Sequence, residues 1–260
     1  MMYFNKDTYS LYYKKYGTGK RTIIILPGWG DTRKTFDFMI RHLEEENTIY
    51  IFDYPGFGRS IFPEHDLTIY DYTNIIRDFI EEENIKNPII IAHSFGGRIA
   101  TLLVGYYKDN VDGLILIDIA GIKPKKGIYK RLKQTIYKIL KLGRYLLPKR
   151  KRNIYFKKLF KLFASSDYKV LDSNMCETFK NIVNEDLKYF YKEIDAKTLI
   201  IWGEKDKDTP LKDGYYIAKN ISNSKLVIYP NAEHYSYLAY QILTNKLIDE
   251  FLEELKKDKQ

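Results

Sequence analysis

Short apolar runs alternate with amphipathic stretches along most of the chain. The apolar runs are continuous and rich in β-branched residues, as in buried parallel strands, and they cover residues 22–26, 48–52, 88–92, 113–118, 198–202 and 225–229. The stretches between them place apolar residues at helical spacing, at residues 33–45, 69–83, 95–107, 211–220 and 237–256. This α/β alternation predicts βαβ units and a largely parallel sheet covered by helices, with an antiparallel strand at Tyr9–Tyr16 on the sheet edge.

The alternation stops after Asp118 and resumes at Lys197, and the residues between have helical periodicity without a convincing strand. Residues 128–140 place isoleucine and leucine on one helical face and lysine and arginine on the other, and residues 154–163 repeat the arrangement with phenylalanine and leucine. We therefore predict a core formed by residues 1–121 and 195–260, with an inserted helical cap at residues 122–194.

Positive charge is concentrated in one segment of the chain. The formal net charge is +9, yet residues 119–166 contain 16 Lys or Arg and no Asp or Glu, which leaves the remainder at −7. Three interpretations are open: cap lysines that face water, docking of the basic cap on an anionic membrane surface, and electrostatic attraction of an acidic substrate. Nucleic acid is not expected as a partner, because no recognised binding module accompanies the charge.

Targeting signals and cysteine usage indicate the cell compartment. Residues 1–11 include Asn5, Lys6 and Asp7 where a signal peptide needs an apolar run, and no stretch approaches the roughly 20 apolar residues that span a bilayer. Cys176 is the only cysteine, so an intrachain disulfide is excluded, and no Cys/His cluster has zinc spacing. We expect a cytoplasmic protein.

The segment AHSFGG at residues 92–97 follows an apolar strand directly and precedes a helical stretch. This is the context of a nucleophile elbow, a sharp strand-to-helix turn that lifts the hydroxyl of Ser94 clear of the sheet. Small residues two positions before and two positions after the serine let the backbone turn so tightly, and Ala92 stands where the motif prefers glycine. The pattern makes Ser94 the candidate nucleophile.

A serine nucleophile needs a base, and the base needs a carboxylate that fixes its tautomer. Asp206 follows the strand at residues 198–202, and His234 follows the strand at residues 225–229. The order Ser, Asp, His places all three groups at the carboxyl ends of strands, where open α/β sheets hold their sites. Asp208 and Asp118 are alternative suppliers of the acid, the latter at the end of the preceding strand.

The chain resembles the α/β-hydrolase superfamily, and within it the small esterases and carbon–carbon bond hydrolases. The likeness covers nearly the whole chain through five landmarks in family order, which are PGWG at residues 27–30, DYPGFGRS at 53–60, the elbow, WGEKD at 202–206 and the final His234. The resemblance implies an α/β-hydrolase fold with a mostly parallel eight-stranded sheet flanked by helices and an inserted helical cap.

Site residues carry over from the family only where the motifs match. The family's Asp-x-x-x-Pro spacing is met by Asp206 and Pro210, which favours Asp206 as the acid. The family's oxyanion loop begins His-Gly; here Pro27 replaces the histidine, but the donor in that loop is backbone. The implied oxyanion-hole donors are the N–H groups of Trp29 and Phe95.

Other polar residues near these motifs have structural interpretations. The side chain of His93 is expected to leave the turn away from the nucleophile and to pack. Asp53 and Arg59 are expected to fix their own loop by local hydrogen bonds.

The resemblance implies hydrolysis of a small carboxylic ester or related acyl substrate through an acyl-enzyme intermediate, with no metal and no organic cofactor. Ser94 would attack, His234 would accept its proton, and Asp206 would stabilise the imidazolium. Carbon–carbon bond hydrolysis and acyl transfer use the same residues and stay open as alternatives, as does a ligand-binding protein without turnover. Epoxide and haloalkane chemistry is disfavoured, because those relatives place Asp at the elbow.

Overall fold

The computed structural model describes residues 2–6, 9–61, 65–123 and 175–258. Its strands form one eight-stranded sheet. They are β1 Met2–Lys6, β2 Tyr9–Tyr16, β3 Arg21–Leu26, β4 Asn47–Asp53, β5 Ile89–His93, β6 Gly113–Ile117, β7 Thr198–Gly203 and β8 Ser224–Tyr229.

The sheet has the strand order β1-β2-β4-β3-β5-β6-β7-β8. β1 and β2 are antiparallel to their neighbours, and all the strands from β4 to β8 pair in parallel. Parallel strands end at a common edge, so the loops that follow β3, β5, β6, β7 and β8 converge there. The candidate catalytic residues predicted from the sequence lie at these carboxyl ends of the parallel strands.

The central strands are buried on both faces, which explains their continuous apolar sequences. Alternate residues enter two separate hydrophobic clusters: Ile24 and Leu116 belong to one cluster, whereas Ile25 and Ile115 belong to the other. Helices cover both clusters, so the core has the three layers of an α/β fold.

The helices of the described residues surround this sheet. They are α1 Asp37–Leu43, α2 Ile69–Glu82, α3 Phe95–Thr101, α4 Cys176–Asn184, α5 Lys188–Tyr191, α6 Leu211–Asn220, α7 Ser236–Ala239 and α8 Gln241–Lys257. A 3-10 turn at Arg33–Phe36 precedes α1, and a π-helical segment at Leu102–Tyr106 continues α3. Residues of α2 and α3 enter one hydrophobic cluster, and residues of α1 and α8 enter the other.

The predicted fold class is confirmed, and every strand predicted from a continuous apolar run agrees with the structure to within one residue at each end. The predicted edge position of Tyr9–Tyr16 is wrong, because this strand lies second and β1 forms the edge. β1 left no signal in the sequence, since only Phe4 of its five residues is buried.

Two helix predictions also need correction. Residues 95–107 do not form one regular helix, because the hydrogen bonding changes from α-helical to π-helical at Leu102. The π-helical segment contains Gly105, where a Cβ atom would lie 2.5 Å from the carbonyl oxygen of Phe190. The helix predicted at residues 237–256 is divided at Tyr240, whose backbone leaves the helical region at φ −126° and ψ 45°.

The chain divides into two compact units, one formed by Met1–Ile122 with Asn181–Gln260 and the other by Lys123–Lys180. The amphipathic segments predicted at residues 128–140 and 154–163 lie outside the described residues. The boundaries of the cap, residues 122–194, therefore stay a prediction. No helix within the described ranges is long and apolar enough to cross a membrane.

Helix α2 starts at a capping box formed by Thr68 and Asp71. The Asp71 N–H donates to the Thr68 hydroxyl at 3.3 Å, and the Thr68 N–H donates to the Asp71 carboxylate at 2.7 Å. Two N–H groups that the helix cannot satisfy internally therefore gain partners. The 3-10 turn offers a contrast, because its N-terminal residue Thr32 makes no such side-chain bond.

We predict that Thr68→Ala lowers the free energy of unfolding by about 1 kcal/mol, because one capping bond is lost. Thr32→Ala is the matched control and should leave the free energy of unfolding nearly unchanged. Urea denaturation of the two variants beside the parent protein measures both values. Equal effects of the two substitutions would contradict the assignment of the cap.

Candidate active site

Ser94 lies at the turn between β5 and α3, with φ 48° and ψ −113°. Left-handed backbone of this kind is strained for a residue with a Cβ atom. Neighbouring main chain holds the turn: the Ser94 N–H donates to the Ile117 carbonyl at 3.2 Å, and the Ser94 carbonyl accepts from Ala120 N–H at 2.9 Å. A Cβ on Gly96 would lie 2.0 Å from the Leu26 oxygen, so glycine is required there. The geometry is that of a nucleophile elbow.

Ser94, His234 and Asp206 form one continuous series of contacts. Nε2 of His234 lies 2.9 Å from Oγ of Ser94, and Nδ1 lies 2.8 Å from Oδ2 of Asp206. Because an ionised carboxylate only accepts hydrogen bonds, Nδ1 carries the proton and Nε2 can accept the serine proton. This is the arrangement that a nucleophile, its base and an orienting acid require.

The carboxylate of Asp206 is fully buried and is held by its own loop. Thr209 donates to it twice, from its hydroxyl at 2.6 Å and its N–H at 2.9 Å, and Asp208 N–H donates at 2.8 Å. The indole N–H of Trp202 donates to the Thr209 carbonyl at 2.8 Å and fixes the loop to β7. The loop after β7 thus supplies both the acid and the groups that orient it.

The two alternative acids take other positions. Asp208 is exposed, and its N–H serves the Asp206 carboxylate. Asp118 is buried at the end of β6, where its carboxylate accepts the Gly203 N–H at 2.7 Å and the Ser236 N–H at 3.1 Å. Burial raises the pKa of Asp118 to about 6, against the lowering effect of these hydrogen bonds. The structure therefore places Asp206 against the histidine and Asp118 between two loops.

The surroundings of His234 and Asp206 shift the pKa of each group. Burial lowers the pKa of His234, but the hydrogen bond to Asp206 and the charges of Asp206, Asp118 and Asp208 outweigh it, so the pKa lies above its usual 6.5. Burial raises the pKa of Asp206, yet the hydrogen bonds from His234 and Thr209 bring the net value below its usual 3.8. An imidazolium formed at His234 is thus stabilised.

The two predicted oxyanion donors, one from a loop and one from a helix, contact each other through their side chains. Trp29 follows β3, Phe95 is the first residue of α3, and their rings make an edge contact with centroids 5.2 Å apart. Phe57, from the loop after β4, packs against Trp29 at 4.8 Å. The role of the Trp29 and Phe95 N–H groups in binding an oxyanion stays a prediction.

Several residues around the site make contacts that the sequence did not predict. His93 is fully buried, as packing requires, but both of its ring nitrogens also make polar contacts, with Asp31 and with the main chain of His234. The bond from Arg59 N–H to the Asp53 carboxylate, at 2.9 Å, is the local loop contact expected there. The sequence predicted no role for Asp31 or Thr209. Each nevertheless lies within four residues of a family motif, PGWG and WGEKD respectively.

Among the described residues, one group of side chains has metal-ligand spacing: Asp206, Asp208 and His234 offer atoms within 4.8 Å of one another. Two of these side chains already bind each other, and the remaining histidine nitrogen faces Ser94. A metal ion at this position would break the contact series that links the acid to the serine.

Over most of its length the chain is similar to proteins named as hydrolases. The chain is 28% identical over 257 residues to a pimeloyl-[acyl-carrier protein] methyl ester esterase of Wigglesworthia glossinidia brevipalpis, covering 92% of this chain and 96% of the relative. It is 22% identical over 268 residues to a 2-hydroxy-6-oxononadienedioate/2-hydroxy-6-oxononatrienedioate hydrolase of Pseudomonas putida, covering 94% and 92%.

Solved structures and a family model extend the comparison to the fold. A hydrolase from Pseudomonas aeruginosa superposes with a TM-score of 0.74 at 18% identity, covering 96% of this chain and 97% of that one. The family model for the alpha/beta hydrolase fold matches residues 21–239. The sheet, the elbow and these matches together establish that the chain belongs to the α/β-hydrolase family of enzymes.

Proposed function

We propose that this hydrolase is a serine esterase that cleaves a small carboxylic ester or related acyl substrate through an acyl-enzyme intermediate. The observation that carries the proposal is the uninterrupted series from Asp206 through His234 to Ser94, with heavy-atom distances of 2.8 and 2.9 Å. The esterase name of the Wigglesworthia relative, which matches almost end to end, supports the ester as the substrate class.

In the first half of the reaction, Oγ of Ser94 attacks the carbonyl carbon of the ester while its proton passes to Nε2 of His234. The carbonyl π electrons move to oxygen, and the N–H groups of Trp29 and Phe95 bind the oxyanion. When the tetrahedral intermediate collapses, the bond to the alcohol oxygen breaks and His234 returns the proton to that oxygen. The acyl group is then bonded to Ser94.

In the second half, His234 removes a proton from water, and the resulting hydroxide adds to the acyl carbon. Collapse of the second tetrahedral intermediate releases the carboxylic acid and returns the proton to Oγ of Ser94. In both halves the imidazolium forms beside a buried Asp206 carboxylate, whose negative charge stabilises it.

Carbon–carbon bond hydrolysis is the second candidate, because the Pseudomonas putida relative is named for a substrate class of that kind and matches 94% of this chain. The same three residues serve that reaction, with a carbanion as the leaving group in place of an alkoxide. Two kinds of substrate separate the candidates. Nitrophenyl esters of graded acyl length report ester hydrolysis, and an unsaturated diketone acid reports cleavage of a carbon–carbon bond. The ratio of the kcat/KM values for the two kinds of substrate shows which reaction the enzyme favours.

We further propose that the basic segment at residues 119–166, with its 16 Lys or Arg, contacts an anionic partner, which is either a membrane surface or an acidic substrate. Clustered cations without intervening acids attract both at low ionic strength. The uneven charge of this segment is the support for the proposal.

Ser94→Ala should lower kcat for a nitrophenyl ester by roughly 10⁴-fold or more, because the nucleophile is lost while the fold is kept. A fluorophosphonate probe should label the parent protein once and the Ser94→Ala variant not at all. Ser222→Ala removes an exposed hydroxyl and is the matched control, with labelling and kcat both unchanged. Full turnover or labelling in the Ser94→Ala variant would refute the assignment, and an inert parent protein would favour a ligand-binding role.

Asp206→Asn should lower kcat by roughly 10⁴-fold at neutral pH, because the histidine loses the carboxylate that fixes its tautomer. The pKa of His234 is raised in the parent protein, so the acid limb of the kcat/KM profile should lie above pH 6.5 and move to lower pH in the variant. Asp208→Asn is the control with the same charge change; it should keep the rate and move the limb much less, because Asp208 contributes least to the raised pKa of His234. The reverse pattern would make Asp208 the acid.

Sedimentation with vesicles of phosphatidylglycerol tests the membrane contact. Binding is expected in low salt and should weaken at high salt, because the attraction is electrostatic. Vesicles of phosphatidylcholine serve as the neutral control. If the protein pellets with neither kind of vesicle in low salt, the membrane contact is wrong. The acidic-substrate alternative then predicts that kcat/KM for an acidic ester falls as the ionic strength rises.

A further inference from the structure

His93 lies directly before the proposed nucleophile, and its imidazole is fully buried behind the proposed base. Its Nε2 is 3.0 Å from the main-chain carbonyl oxygen of His234. A carbonyl oxygen only accepts, so Nε2 of His93 carries a hydrogen and donates it. The side chain thus supports the backbone of His234.

The other nitrogen of His93 faces a carboxylate. Nδ1 lies 3.1 Å from Oδ2 of Asp31, and the two side chains are 0% and 8% exposed. The two side chains thus form a buried contact between an acid and a histidine.

Asp31 has two further donors. Its Oδ2 accepts the Gly28 N–H at 3.2 Å, and its Oδ1 accepts the Tyr235 hydroxyl at 2.9 Å. A Cβ atom on Gly28 would lie 2.5 Å from the Asp31 carboxylate and 3.0 Å from Nδ1 of His93. Only glycine admits this approach, so the loop sequence and the pair depend on each other.

These contacts join the loops after β3, β5 and β8, which supply the oxyanion donor Trp29, the nucleophile Ser94 and the base His234 in the proposed mechanism. The mechanism itself uses neither Asp31 nor His93. A misplacement of about 1 Å in such a site can lower the rate roughly 10²-fold. A buried unit that fixes the separation of three loops therefore has a direct kinetic consequence.

We propose that Asp31 and His93 are positioning residues, a second acid–histidine pair that sets the main chain of His234 and the loop at residues 28–31 relative to Ser94. The proposal rests on the proposed esterase function for its kinetic readout. The pair acts on the reaction only through His234 and the oxyanion loop, and it touches no reacting atom.

The kinetic test compares variants that keep or remove each contact. His93→Leu removes both polar contacts at similar volume and should lower kcat by roughly 10- to 100-fold with little change in KM, because binding surfaces stay in place. His93→Gln keeps an N–H donor toward the His234 carbonyl and should recover part of the rate. Asp31→Asn should likewise retain more activity than Asp31→Ala.

Asp37→Asn is the matched control for the loss of a carboxylate. Asp37 is the first residue of α1, and its carboxylate accepts a hydrogen bond from Arg33 at 2.6 Å. Among the described contacts, none joins Asp37 to His93. Its substitution should leave kcat unchanged. A purely structural role for the pair predicts a different result, in which thermal stability falls but kcat per folded molecule is the same in all the variants.

A second readout does not need turnover. The chain has four histidines, so single substitutions assign every imidazole in a ¹⁵N spectrum. The parent protein should show His93 protonated at Nε2, and His93→Leu should alter the nitrogen shifts of His234 while its fold is kept. If the parent lacks esterase activity but these shifts change, the esterase proposal fails and the positioning role stands. Unchanged His234 shifts, or a parent-like kcat in folded His93→Leu, would overturn the positioning role.

Discussion

The hydrogen bond between His234 and Ser94 depends on the parallel register of the central strands. The two residues are separated by 140 positions in sequence, and they meet because β5 and β8 end at the same edge of one sheet. The acid arrives from β7 by the same rule. Each side chain stands just beyond the carboxyl end of a parallel strand, so the sheet fixes three anchor points and leaves only short loops to adjust the final distances.

Around this edge the protein buries three carboxylates, those of Asp31, Asp118 and Asp206. A buried carboxylate without partners is strongly unfavourable, so each must collect donors. Main-chain N–H groups of Gly28, Gly203 and Thr209 and nearby hydroxyl groups supply them. The acids therefore organise the loops whose N–H groups they bind, and at Asp206 the same carboxylate also contacts the proposed base.

Much of the sheet and of the site could be predicted from the sequence. The central strands are continuous apolar runs because both of their faces are covered, and this pattern is unambiguous. Ser94, Asp206 and His234 could be selected because motif spacing and strand ends restrict the choice. The edge strand β1 could not, since one buried residue in five gives no periodicity.

The contacts that support the site could not be predicted from the sequence. Asp31 and His93 are 62 residues apart and meet only because the fold pairs β3 with β5, so no local pattern links them. Histidine beside a nucleophile can pack, donate or do both, and its role depends on what the fold places at each ring nitrogen. The π-helical segment at Leu102–Tyr106 likewise contains Gly105, which a main-chain carbonyl 85 residues away approaches closely, and local sequence does not reveal such a contact.

The backbone of Ser94 has a consequence for how this protein can change over time. Its left-handed conformation disfavours the fold by about 1–3 kcal/mol for any residue with a side chain, and only glycine escapes this penalty. A change of Ser94 to glycine would therefore relieve strain in the same step that removes the hydroxyl. Backbone strain alone therefore favours glycine over serine at this position, and the hydroxyl is the only part of the side chain that glycine cannot replace.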